Sequence, residues 1–225
     1  ARSLAAFGAD GLAEAVAMLD GDDEDARYAA LWTLASLGEQ AASAVPRLIP
    51  LIAQEDDVAL RQRAIGTAGY IGPKAAAVIP AIMGAFRSEQ MPLVASDASG
   101  TMPRLGQPAR DAILEGLRGS NRIVRLRCAE LLQSYHAATQ FAFDDLERLL
   151  GSDDPVERRV ALVAMRAAVI HPTQEGVDYP AQRDVALLKR LRAVTERMTK
   201  DKDRRVVSFA LESREYLTTM LEEAR

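Results

Sequence analysis

The side chains best suited to covalent or acid–base chemistry are few and scattered. The 225-residue sequence has one cysteine, Cys128, and two histidines, His136 and His171. A single thiol cannot close an internal disulfide or nucleate a zinc site, and two distant imidazoles make no metal-binding cluster. No glycine-rich phosphate loop, GxSxG elbow, HExxH pair or CxxC pair occurs. His136 falls near a helix end and His171 opens a polar loop, each without a companion that would make it a general base. The residues therefore predict no catalytic group, no metal and no cofactor.

Charge is the next resource. The net charge is −4, but it is unevenly spread: residues 1–60 sum to −8, residues 61–128 to +6 and the remainder to −2. The basic middle contains Arg118, Arg122, Arg125 and Arg127, which in one reading form a patch for an acidic partner. In the other reading such arginines belong to ion pairs between neighbouring helices, where Asp97 would meet Arg61 or Arg125. With 48% hydrophobic and 5% aromatic residues, the chain is rich enough in apolar side chains to fold and leans toward helix. No run of eighteen apolar residues is present. Asp10 and Glu14 stand where a secretory leader would be apolar, so a cytoplasmic location is expected, or a periplasmic one if a leader has been removed.

The elements that position these residues recur at a fixed interval. Gly38, Gly72 and Gly106 are 34 residues apart, and the same shift aligns Ala30, Ala64 and Ala98; Thr33, Thr67 and Thr101; and Ala41, Ala75 and Ala109. Val45, Ile79 and Ile113 follow the same register, and Pro46 matches Pro80. Each unit reads as two helices. The first, over Ala42 to Gln54 in the clearest copy, carries an apolar stripe of Val45, Leu48, Ile49 and Ile52. An acidic turn follows, at Asp22 to Asp25 and again at Glu55 to Asp57, Asp153–Asp154 and Asp201–Asp203, where carboxylates cap free helix N–H groups. The second helix ends at a glycine free to take a left-handed C-cap.

These units resemble HEAT repeats of the phycobilin-lyase-like type, in which a proline-bearing apolar helix, an Asp-rich turn and a VR-x-x-A…LG helix succeed one another. Asp22 to Gly38, Asp56 to Gly72 and Pro92 to Gly106 match well. Asn121 to His136, with Cys128 at the alanine position, and Asp153 to Ala167 are degraded copies. The resemblance implies an all-α, right-handed α-solenoid of about five to six helix pairs. Residues 1–170 would form the array, 171–183 a loop insertion, and 184–225 a helical pair capping it.

In that family the second helices line the concave face. With Ala26, Ala30, Thr33 and Leu37 turned inward, a helical wheel turns Tyr28, Trp32 and Ala35 outward, with Leu31 at the border. The 34-residue shift carries this face to Gln62, Ile65, Gly66 and Gly69, then to Ser96, Ser99, Gly100 and Pro103, and alignment of Arg125 with Arg61 to Leu126, Ala129, Glu130 and Gln133. Two glycines opposite Trp32 describe either a groove with an aromatic wall and a bare backbone floor, or a space that Trp32 itself fills. The partner-binding candidates are thus Tyr28, Trp32, Gln62, Gly66, Ser96, Gly100, Arg122, Arg125 and Arg127.

A non-catalytic scaffold for a protein partner, or a subunit of a larger complex, is the expected function. A nucleic-acid-binding protein similar to the HEAT-like alkylpurine DNA glycosylases is the alternative, with Trp32 and Asp97 as counterparts in residue type only. A bilin lyase-like subunit is a further one. The His-Glu pairs of iron-binding HEAT hydroxylases are missing.

Overall fold

The structure, a computed structural model, describes residues 8–54, 56–87, 94–133, 140–170 and 185–223. Among these there are helices and turns and no strand. The chain divides into two compact units, Ala1–Gly116 and Leu117–Arg225.

In the first unit the helices are α1 (Ala9–Met18), α2 (Glu24–Leu37), α3 (Val45–Gln54), α4 (Val58–Ile71), α5 (Ile79–Ala85) and α6 (Val94–Thr101), with α7 (Gln107–Arg118) running to the boundary. Helices α2, α4 and α6 lie side by side in one layer, while α3 packs on α4 and α5. The second unit contains α8 (Arg122–Leu132), α9 (Phe143–Leu149), α10 (Pro155–Ile170), α11 (Val185–Met198) and α12 (Arg204–Glu223). There α10 packs between α8 and α12, with α9 against α10 and α11 against α12. The His171 to Arg183 segment and both histidines fall outside the described residues.

The acidic turns start the second helices as their side chains require. Asp23 Oδ1 accepts from the N–H groups of Asp25 (3.0 Å) and Ala26 (3.2 Å), and Asp57 Oδ1 from those of Ala59 (2.7 Å) and Leu60 (3.0 Å). Asn121 and Asp203 repeat the arrangement at α8 and α12. Each cap satisfies donors that the helix cannot, and is worth about 1 kcal/mol.

The helix ends depart from expectation in detail. Gly38, Gly72 and Gly106 do take positive φ, of 56°, 75° and 77°, but with ψ of −131°, −146° and −150°. This is not the left-handed helical cap but a region essentially reserved for glycine. The chain leaves Gly38 and Gly72 directly into 3-10 turns, Gly38–Ala44 and Gly72–Val78, so the first helix proper begins at Val45 rather than Ala42. Pro46 and Pro80 occupy the second positions of α3 and α5, where no N–H is needed. In the third copy Pro103 stands within the helix-ending turn, and α6 tightens after Thr101 into a 3-10 segment, Met102–Leu105.

Small residues bring the layers together. Ala30, Ala64, Ala98, Ala41, Ala75 and Ala109 are fully buried, with Leu34, Leu48, Ile52, Leu60, Ile82, Leu105 and Ile113 filling the space around them. The aligned threonines do more than pack. Thr67 Oγ1 donates to the Leu31 carbonyl of the preceding second helix at 3.2 Å, sharing the proton with its own helix at Arg63, and Thr101 Oγ1 donates to the Ile65 carbonyl at 3.0 Å. No helix among the described residues is long and apolar enough to cross a membrane.

Candidate binding face

The outward rows of α2, α4 and α6 follow i, i+4 spacing: Tyr28, Trp32 and Ser36; Gln62, Gly66 and Tyr70; Ser96, Gly100 and, in the 3-10 turn, Arg104. Trp32 is 47% exposed and Tyr70 56%. Neither ring stands bare. The Arg63 guanidinium lies 3.9 Å from the Trp32 ring centroid and 5.7 Å from that of Tyr28, and the Arg104 guanidinium lies 5.2 Å from Tyr70. Each such cation–π contact contributes about 0.5–1 kcal/mol at an exposed site and fixes both partners in place.

Gly66 and Gly100 line open space: a Cβ built on either meets nothing within 4 Å. Trp32 thus does not fill the space above Gly66, and Arg63 covers its ring instead. The wheel was too generous elsewhere. Leu31 and Ile65 are fully buried, Ala129 nearly so, and Gly69 is buried rather than outward. A Cβ on Gly69 would sit 2.9 Å from Thr101 Oγ1 and 3.2 Å from Thr101 Cα, so this glycine permits the close approach of α4 and α6. The physical reason is that a middle helix has neighbours on both flanks as well as beneath it. Its apolar arc is wider than one inward stripe.

Gln62 and Asp97 meet across α4 and α6, with Gln62 Nε2 donating to Asp97 Oδ1 at 3.2 Å. Burial pushes the Asp97 carboxyl above its ordinary value, and the Gln62 hydrogen bond partly offsets this. Arg125, one of the two expected partners of Asp97, bonds elsewhere.

In the second unit the four basic-patch arginines are engaged. Arg118 makes a bidentate pair with Asp145 at 2.8–3.1 Å, Arg122 pairs with Asp154, and Arg127 with Glu130 at 3.0 Å. Arg125 bonds Glu157 Oε1 at 2.8 Å through Nε, while Nη1 donates to the carbonyls of Gly119 and Ser120. Arg158 repeats this one helix pair on: Nε and Nη2 bond Asp201 at 2.8 and 2.7 Å, and Nη1 donates to the Ser152 and Asp153 carbonyls. The arginine that opens each of these second helices thus closes the turn before it and grips the helix pair that follows.

Two chemical candidates fall away on geometry. Cys128 is fully buried, and burial pushes its thiol up to about 12, where no reactive thiolate forms. A groove of about 570 Å³ beside α9 and α11 is lined by Glu147, Arg190, Arg197 and Met198 among others. Burial raises the Glu147 carboxyl, but hydrogen bonds from Arg190 and Arg197 outweigh that and hold it below its ordinary value. A general acid needs the opposite. Among the described residues no group of three or more His, Cys, Asp or Glu is placed to hold a metal.

Layered helix pairs joined through capped turns define an all-α helical-repeat protein. Residues 12–102 match the family model for HEAT repeats; the match does not single out the phycobilin-lyase-like type. The chain is similar to the archaeal HEAT-like repeats protein from Thermococcus onnurineus NA1, at 15% identity and a TM-score of 0.51, covering 97% of this chain and 91% of that one. It is also similar to a designed armadillo repeat protein, at 14% identity and a TM-score of 0.42, covering 92% of this chain and 99% of that one. At 15% identity the likeness to the archaeal protein speaks for the fold alone. No curated protein matches the chain.

The sequence pattern did not single out Tyr70, Arg104 or the contact of Arg63 with Trp32. The signal for Tyr70 was available: it lies one turn beyond Gly66 on the same helical row.

Proposed function

We propose that this chain is a non-catalytic scaffold that holds a segment of a partner protein against Tyr28, Trp32, Gln62, Gly66, Ser96 and Gly100. The observation that carries this reading is Trp32, a half-exposed tryptophan clamped by Arg63 next to a row of helix surface without side chains. A rigid aromatic anchor beside an open floor is what protein interfaces concentrate their binding energy on. Glycine in a helix costs about 1 kcal/mol relative to alanine, and Gly66 and Gly100 gain no internal packing in return. Use of the bare backbone by a ligand accounts for that cost. Helices α11 and α12 serve as the closing pair of the array.

The nucleic-acid reading is less well supported, because Arg122, Arg125 and Arg127 are held by carboxylates of the protein itself. Phosphate contact would require those pairs to be exchanged.

The test is affinity purification from the native host, comparing wild type with a Trp32→Ala, Tyr28→Ala double variant by quantitative mass spectrometry. Specific loss of one or a few proteins from the folded variant supports the site. Equal recovery of every protein by both forms overturns it.

A further inference from the structure

Arg63 and Arg104 stand apart from the arginines of the second unit. Arg118, Arg122, Arg125, Arg158 and Arg190 each bond one or more carboxylates. Arg63 and Arg104 rest on aromatic rings, as Arg190 also does on Phe143, but among the described residues neither has a carboxylate or carbonyl partner. Arg63 Nε is buried and makes no hydrogen bond, which leaves the two terminal amino groups as its outward donors. A guanidinium stacked on a ring keeps its planar fork of N–H donors in a fixed orientation, so little conformational entropy remains to be lost when a carboxylate arrives.

We infer that Arg63 and Arg104 are carboxylate-docking residues, and that the partner segment is a peptide whose Asp or Glu side chains meet these two forks while its backbone crosses Gly66 and Gly100. This rests on the scaffold reading and specifies the partner's chemistry. Charge complementarity favours isolated carboxylates over a continuous polyanion. Residues 1–60 carry a net −8, and Asp20, Asp22, Asp23, Asp25 and Asp56 lie exposed or near the surface in the same unit. A nucleic-acid backbone would meet that repulsion along its length, whereas a peptide with one or two acids placed over the arginines would not. The open glycines set a second requirement, since only a closely approaching backbone or small side chains gain from them.

The experiment uses the full chain and a random 12-residue phage-displayed peptide library. Selected peptides are synthesised with a fluorescein label, and affinity is read by anisotropy for wild type, for Arg63→Gln with Arg104→Gln, for Arg63→Lys with Arg104→Lys, and for Trp32→Ala. Acid-bearing peptides are expected, weakened about tenfold or more by Asp→Asn or Glu→Gln in the peptide and by the double Gln variant. The Lys variant is expected to recover little, because an ammonium offers no planar fork. The peptide-side substitution tests the same contact without altering the protein, so it stands even if a protein variant misfolds. Peptides that show no acid dependence but need Trp32 would overturn this inference and leave the scaffold reading in place. Peptides indifferent to all the variants would overturn both. Tighter, Arg63- and Arg104-dependent binding of a labelled 20-base-pair duplex would overturn the inference in favour of phosphate.

Discussion

Thr101 Oγ1 donates to the backbone carbonyl of Ile65 at 3.0 Å, one repeat after Thr67 Oγ1 makes the same bond to Leu31. These hydroxyls cross from one second helix to the next inside the core, and both residues are almost wholly buried. The 34-residue threonine register thus has a cause beyond packing volume: the second and third copies each tie their threonine hydroxyl to the backbone of the copy before.

Removing either hydroxyl while keeping the shape isolates that tie. Thr67→Val and Thr101→Val should each lower stability by about 1 kcal/mol, since the carbonyl keeps its own helical hydrogen bond and only the added one is lost. Urea unfolding followed by circular dichroism checks this. An unchanged midpoint for both would show the threonines to be packing residues only.

Two glycines on α4 should respond in opposite directions to the same substitution. Gly69→Ala drives a Cβ into the Thr101 backbone and should cost about 1–3 kcal/mol. Gly66→Ala meets open space and should stabilise by about 0.4–1 kcal/mol, by removing helix-interior glycine. Trp32 is the sole tryptophan, so its fluorescence reports the first unit for both variants. Equal signs would show that the close approach of α4 and α6 is misjudged. If the face is used as proposed, Gly66→Ala gains stability and loses partner.

The Arg158–Asp201 pair is largely shielded, with side chains 12% and 7% exposed. Asp201→Asn should cost about 1.5–3 kcal/mol at pH 7, because the guanidinium loses its charge-assisted hydrogen bonds and keeps only the more distant charges of Asp154 and Asp203. The Arg158 hydrogen bonds hold the Asp201 carboxyl below its ordinary value despite burial. The unfolded chain then binds the proton more tightly, so the stabilisation is complete above about pH 5 and is lost as pH falls through the folded value. Unfolding between pH 7 and pH 3 should show this acid limb in wild type and a flatter one in Asp201→Asn. A parallel profile would remove Asp201 from the account.

Asp97 predicts the reverse sign. Its carboxyl is raised by burial, so the folded state holds the proton more tightly and gains stability as pH falls through that raised value. Asp97→Asn, which can still accept from Gln62, should stabilise the first unit at pH 7 and erase the gain on acidification. Trp32 fluorescence against urea at both pH values reads this directly.

The helix-pair units were legible because their cause is local: a capping Asp, an apolar stripe and a terminal glycine all act within a few residues of where they stand. Trp32, Gly66 and Gly100 were placed correctly on the outside for the same reason. What escaped depends on flanking helices. Ile65 and Gly69 are buried by neighbours that a single-helix wheel does not contain, and Arg63 finds Trp32 only once α2 and α4 lie side by side. The arginines of residues 118–127 look like a basic patch in a charge tally. Their counter-ions, Asp145, Asp154 and Glu157, come from segments 27 to 32 residues further along.

The backbone geometry at Gly38 and Gly72 makes the stretch between them modular. Both glycines sit at the end of a second helix, in the same sparsely occupied conformation, and both lead into a seven-residue 3-10 turn. A tandem copy of Gly38–Ile71 would therefore begin and end at junctions the chain already contains. It would lengthen the exposed face by one more Gln62–Gly66–Tyr70 row, so the reach of this surface is set by a countable number of cassettes rather than by refolding.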